Sequence, residues 1–150
     1  MRAALAFAQD DAAFLTFHVD GVPVAKGRAR ATTIGGMARL YTPGKTRAYE
    51  DRIRCAAAMA RGERPPFQGE VTLTVTALVA IPASFSKRKR ANAVAGIIRP
   101  TTRPDADNYA KAALDGCNGI LFRDDAQVTD LIVRKRYAAE PRLVITMEAL

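Results

Sequence analysis

At 150 residues, with 49% hydrophobic content, a formal charge of +8 and a pI near 10.0, the chain fits one core-forming domain whose partner is a polyanion such as nucleic acid rather than a neutral metabolite. Its two cysteines, Cys55 and Cys117, have no second cysteine near either, which excludes a zinc pattern or a disulfide framework and suits free thiols in a reducing cytoplasm. No apolar run approaches a signal-sequence core or a membrane span, so no membrane partner is expected, and no organic cofactor either.

The alanine-rich start is broken by Asp10 and Asp11, and residues 1–12 read as a flexible tail ahead of a domain at 13–150. Phe14 to Val19 alternates, with Leu15, Phe17 and Val19 on one side, and Gly21 to Pro23 ends this first strand. His18, the only histidine, points the other way, and a lone strand histidine is assigned no catalytic role. Lys26 to Arg30 forms a basic loop. Ala31 to Ile34 and Met37 to Tyr41, joined by Gly35-Gly36, have the pattern of a hairpin with a glycine turn.

Thr42-Pro43 supplies a helix cap and a proline at the first helical position, and Tyr49, Ile53, Ala56, Ala57 and Ala60 recur at helical spacing to about Arg61, where Gly62 and Pro65-Pro66 intervene. Val71 to Ile81 alternates apolar residues with Thr72, Thr74 and Thr76 and reads as a central strand ended by Pro82. Ser84 to Arg103 holds six basic residues and no acid, a mobile solvated loop or a phosphate-contacting flap. Asp107 to Gly119 predicts a second helix, with Ala110, Ala113, Leu114 and Cys117 on its apolar face. Leu131 to Tyr137 and Arg142 to Glu148 flank Glu140-Pro141 and make a closing pair of strands. The order predicts an α+β domain, a mixed sheet flanked by helices.

One window inverts the charge. Between Asp105 and Asp130 lie six of the fifteen acids against only Lys111 and Arg123. Crowded carboxylates repel one another unless a cation sits among them, and oxygen ligands without His or Cys favour Mg²⁺, or Mn²⁺ in its place, over zinc. Asp105 and Asp107 stand i and i+2 in a lead-in after Pro104. The helix climbs roughly 18 Å at about 1.5 Å per residue, and an extended arm from Gly119 to Asp125 returns roughly 20 Å at about 3.3 Å per residue, enough to bring Asp124-Asp125 back beside them. Taken singly, each residue has a structural explanation: Asp107 as a cap, Lys111 paired with Asp107 and Asp115, Asp124-Asp125 as turn formers. On charge and the flap alone, a non-catalytic nucleic-acid-binding module competes with a metal-dependent phosphodiesterase.

Arg103-Pro104-Asp105-Ala106-Asp107-Asn108, Lys111 and Asp115, then Asp124-Asp125-Ala126-Gln127-Val128, resemble the RusA-family pattern D-x-D-N-x-x-K-x-x-x-D followed by D-D-x-Q-V. The likeness extends over about residues 15 to 148. It implies a RusA-like fold and a homodimeric endonuclease that resolves Holliday junctions in recombination and repair. Its catalytic residues match Asp105, Asp107, Asp125 and Lys111, with Asp124 beside the metal-binding aspartates. Asp115 and Asn108 also fall on family positions, and Lys135 matches a family lysine directed at DNA. Lys26, Arg28 and Arg30, and Lys87, Arg88, Lys89 and Arg90, are expected to grip backbone phosphates. A nuclease that prefers flaps or other branched DNA remains a neighbouring alternative.

Overall fold

The computed structural model describes residues 14–149; the tail expected at residues 1–12 lies outside them. The elements run β1 (Phe14–Asp20), β2 (Arg30–Ile34), β3 (Met37–Tyr41), α1 (Gly44–Arg61), β4 (Val71–Ala80), α2 (Lys87–Val94), α3 (Ala106–Cys117), a 3₁₀ turn (Asp125–Gln127), β5 (Val128–Ala138) and β6 (Arg142–Ala149).

Four strands form a mixed sheet in the order β1-β6-β4-β5, and β2 and β3 form a separate two-stranded sheet. β4 is central as expected, antiparallel to β6 and parallel to β5. β5 and β6 are therefore not neighbours: β6 crosses to the far side of β4. The link from Ala138 to Arg142 reaches about 13 Å at about 3.3 Å per step, enough to span two strand spacings of about 4.8 Å each. β5 is left as an outer strand, with Leu131 and Ile132 exposed.

Alternation decides which face is covered. Val71, Leu73, Val75 and Ala77 of β4 are fully buried and meet Phe17, Val19, Leu143, Ile145 and Met147. The helices lie on that side, where Tyr49, Ile53 and Ala57 of α1 and Tyr109, Ala112, Ala113 and Cys117 of α3 join the core. Helix α3 presents small residues to α1. At Gly116 a methyl group would fall 2.5 Å from Ile53 Cγ2, so this position allows a close helix–helix approach.

Three boundaries differ from the sequence reading. Pro43 is extended and is itself the cap, its carbonyl taking the first helical bond from Arg47 N at 3.1 Å, so α1 begins at Gly44 and Pro43 is not the first helical residue behind a Thr42 cap. Helix α3 starts one residue early and stops at Cys117, so Asp105 rather than Asp107 holds the cap position. The basic block is not a continuous loop: Ser86 Oγ accepts from Lys89 N at 3.2 Å and starts α2.

Candidate active site

Asp105 sits at the start of α3 with φ −73° and ψ 151°, yet its side chain makes no capping hydrogen bond. A capping aspartate normally spends one oxygen on an amide of the first turn. Here the carboxylate stays exposed and uncommitted to the helix. Asp107 lies in the first turn, and one turn later Lys111 Nζ approaches its Oδ2 at 3.6 Å. Both side chains are about two-thirds exposed, so this pair holds weakly and leaves the lysine charge available.

Asp115, another turn along, does not take Lys111 as its partner. It binds Lys26, whose Nζ also lies 3.0 Å from Glu50 Oε1 of α1. Hydrogen bonding to Asp115 raises the Lys26 pKa, opposed by burial and assisted by Glu50. Lys26 N donates to Asn108 O at 3.0 Å, and Arg54 donates to Asp115 O at 3.3 Å. Lys26, grouped by sequence with the DNA-gripping residues, thus commits its ammonium to two carboxylates and ties the loop, α1 and α3 together. Glu50 was missed in the sequence because its role depends on α1 crossing α3, which no spacing reveals.

The return arm is not extended. Ile120 N and Leu121 N both donate to Cys117 O at 3.0 Å, Gly119 adopts φ 75°, and Leu121 and Phe122 plug into the core. The chain then reaches Asp124, whose Oδ1 accepts from Ala126 N at 3.4 Å while its own N–H donates to Gln127 Oε1 at 3.0 Å. Gln127 Nε2 donates to Phe67 O and Gly69 O, both at 2.9 Å, stapling this turn to the approach to β4. Asp125 has its pKa raised, first by a hydrogen bond with Asp124, then by burial and by the charges of Asp124 and Asp115. Asp125 therefore feels Asp115 from the later half of α3. Among the described residues, no three His, Cys, Asp or Glu side chains come together as a metal site.

The cations surround this acidic region unequally. A cleft of about 570 Å³ is walled by Lys26, Gly27 and Arg28 on one side and by Arg103, Pro104, Asp105 and Asn108 on the other. Arg103, read in the sequence only as part of the basic block, lines the same cleft as Asp105. Lys135 Nζ donates to Thr102 O at 2.6 Å and braces the loop that leads into α3. On α2, Lys89 lies 4.2 Å above the Phe85 ring, which packs edge-on against Tyr137 of β5. Arg90 reaches Pro82 O at 3.5 Å, while Lys87 and Arg88 are exposed.

A family model described as endodeoxyribonuclease RusA matches residues 20–148. The chain belongs to the RusA family. A relative, the uncharacterized protein YqaN of Bacillus subtilis (strain 168), is 37% identical over 133 residues, covering 87% of this chain and 93% of that protein. The RusA match takes in both acidic motifs, the Lys26 network and Gln127. Membership makes the chain one of a family of endodeoxyribonucleases with an α+β domain, and no helix among the described residues is long and apolar enough to cross a membrane. The carboxylates of these two turns have the donor chemistry that suits a hard divalent cation. The raised Asp125 pKa fits that group, because a nearby dication relieves the repulsion that Asp124 and Asp115 impose.

Proposed function

We propose that this chain is a Mg²⁺-dependent endodeoxyribonuclease, with Mn²⁺ as a substitute, which resolves four-way DNA junctions by paired nicks as a cytoplasmic homodimer in recombination and repair. The observation that carries the reading is the pair of acidic turns inside a RusA-family chain, one at the uncommitted start of α3, where Asp105 lines a basic cleft, and one pinned by Gln127. Asp105, Asp107 and Asp125 would hold the metal, with Asp124 beside them. When bound, the dication supplies Lewis-acid polarisation of the scissile phosphate and makes water a stronger nucleophile at neutral pH.

The chain's own residues do the rest. Lys111, loosely held by Asp107, places a point charge near the phosphate. Arg28 and Arg103 lead the backbone into the cleft beside Asp105. Lys26 pairs with Asp115 and so tempers the repulsion that Asp115 adds at Asp125. Lys135 holds the lead-in loop through Thr102 O. Paired nicks require two such sites related by symmetry, which a homodimer supplies.

Cleavage of a synthetic four-way junction with Mg²⁺, beside linear and three-way DNA, tests the reading. Asp107→Asn is expected to lose at least about 1,000-fold in rate while junction binding persists. Equal cutting by the parent and the variant refutes the site. Binding without cleavage by the parent in any divalent ion leaves a non-catalytic module.

A further inference from the structure

The β2–β3 hairpin carries more information than its role as a connection requires. Among the described residues it packs substantially on no other element, and every residue of β3 is exposed. An isolated two-stranded hairpin is marginal in water, so a segment of this kind gains its order from what it touches. The register sorts its side chains. Arg30 pairs with Tyr41, Thr32 with Arg39, and Ile34 with Met37, and alternation places all six on one face. This face is basic and aromatic at the root and apolar at the tip, where Ile34 and Met37 are more than half exposed. Gly35 and Gly36, with φ 60° and 79°, close the turn with no side chain beyond them.

Charge decides the occupant. Residues 21–49 contain Lys26, Arg28, Arg30, Arg39, Lys45 and Arg47 and no acid, so a second copy laid on the same face would oppose arginine to arginine. The root of the hairpin adjoins the Asp105 cleft through Lys26 and Arg28. Two strands about 4.8 Å apart, with side chains, fit a major groove about 12 Å wide. Five residues reach about 16 Å, the length of about five base steps at about 3.4 Å each.

We propose that the hairpin is a DNA-engaging ribbon: Arg30 and Arg39 hold the backbone while Ile34 and Met37 wedge against unpaired or unstacked bases at the branch point. Exposed Ile and Met are the side-chain types that serve as wedges between base steps. The proposal rests on the nuclease reading above and adds to it a means of opening the branch.

The test uses the full chain with four-way junctions that carry 2-aminopurine beside the crossover, in Ca²⁺. The parent is expected to raise the fluorescence about threefold or more as bases unstack, and Ile34→Ser/Met37→Ser to lose most of that rise. These side chains are exposed, so the variant keeps its fold, verified by an unchanged urea midpoint. In parallel, Arg30→Gln/Arg39→Gln is expected to lower the slope of log affinity against log salt by about 2. A tip variant that unstacks bases as well as the parent overturns the wedge even when junction cleavage is intact. A change of oligomeric mass by light scattering overturns it too, because the hairpin then seats a second copy. Failure of the parent to bind or cut any DNA sinks the nuclease reading and the wedge together.

Discussion

Replacing Gly116 with alanine probes whether the α1–α3 crossing positions the site. The new methyl would lie 2.5 Å from Ile53 Cγ2, 2.7 Å from Ile53 Cβ and 3.3 Å from Glu50 O. Non-bonded carbons rest at about 3.5–4.0 Å, so the helices must part by about 1 Å. Ile53 is fully buried and β-branched, and it has no rotamer into which to retreat cheaply. Overpacking of this kind costs about 1–3 kcal/mol, and the helix propensity of alanine over glycine returns about 1 kcal/mol, for a net loss of about 1–2 kcal/mol at the upper part of that range. Because α3 carries Asp105, Asp107 and Lys111, a shift of about 1 Å is also expected to lower cleavage by up to about 100-fold. Urea unfolding followed by circular dichroism measures the first effect and junction cleavage the second. Adding Ile53→Ala, which removes Cγ2, should recover about 1 kcal/mol relative to the sum of the single changes. An alanine variant that unfolds at the same or higher urea concentration than the parent refutes the close-crossing argument.

Gln127→Ala removes the bonds to Asp124 N, Phe67 O and Gly69 O and is expected to reduce cleavage about 10–100-fold while the far-ultraviolet spectrum stays unchanged. Gln127→Glu keeps an acceptor but loses both donors, so it should not rescue; full activity in either variant would show that the staple is dispensable. Iodoacetamide at neutral pH should label exposed Cys55 in the native protein and spare buried Cys117 until the chain unfolds. Burial pushes the Cys117 thiol up to about 12 from 9.0, so the folded state holds this proton more tightly. Its contribution to stability is therefore complete below pH 9.0 and is lost as the pH climbs toward about 12, which alkaline urea titrations will register.

Local patterns carried most of the fold. The alternation of Val71, Leu73, Val75 and Ala77 with Thr72, Thr74 and Thr76 marks β4 as a strand with one buried face, and Gly35-Gly36 marks the hairpin turn. Helix α2 escaped because it has no apolar stripe: Ala93 is its only buried residue, and its start depends on a single Ser86 cap. Strand order escaped for a different reason. Alternation in β5 and β6 says that each has an inner face, but not that β4 runs between them. At the site, the residue types were legible and their partners were not. Asp115 and Lys111 share a helical stripe, yet Asp115 is claimed by Lys26 from a loop 89 positions away. The return arm is not extended because Leu121 and Phe122 are apolar, and their burial bends that segment into the core.

Among the described residues β5 pairs with β4 alone, so the amides and carbonyls of its other margin are available to any unfolded chain nearby, and Leu131 with Ile132 makes that margin adhesive. Asp130 and Arg134 stand on either side of the apolar run from Leu131 to Val133 as gatekeepers against fibrous stacking. Mutual repulsion among molecules of charge +8 adds a longer-range guard, one that concentrated salt screens away. Colloidal behaviour is thus tied to ionic strength through the same arginines and lysines that suit the molecule to a polyanion.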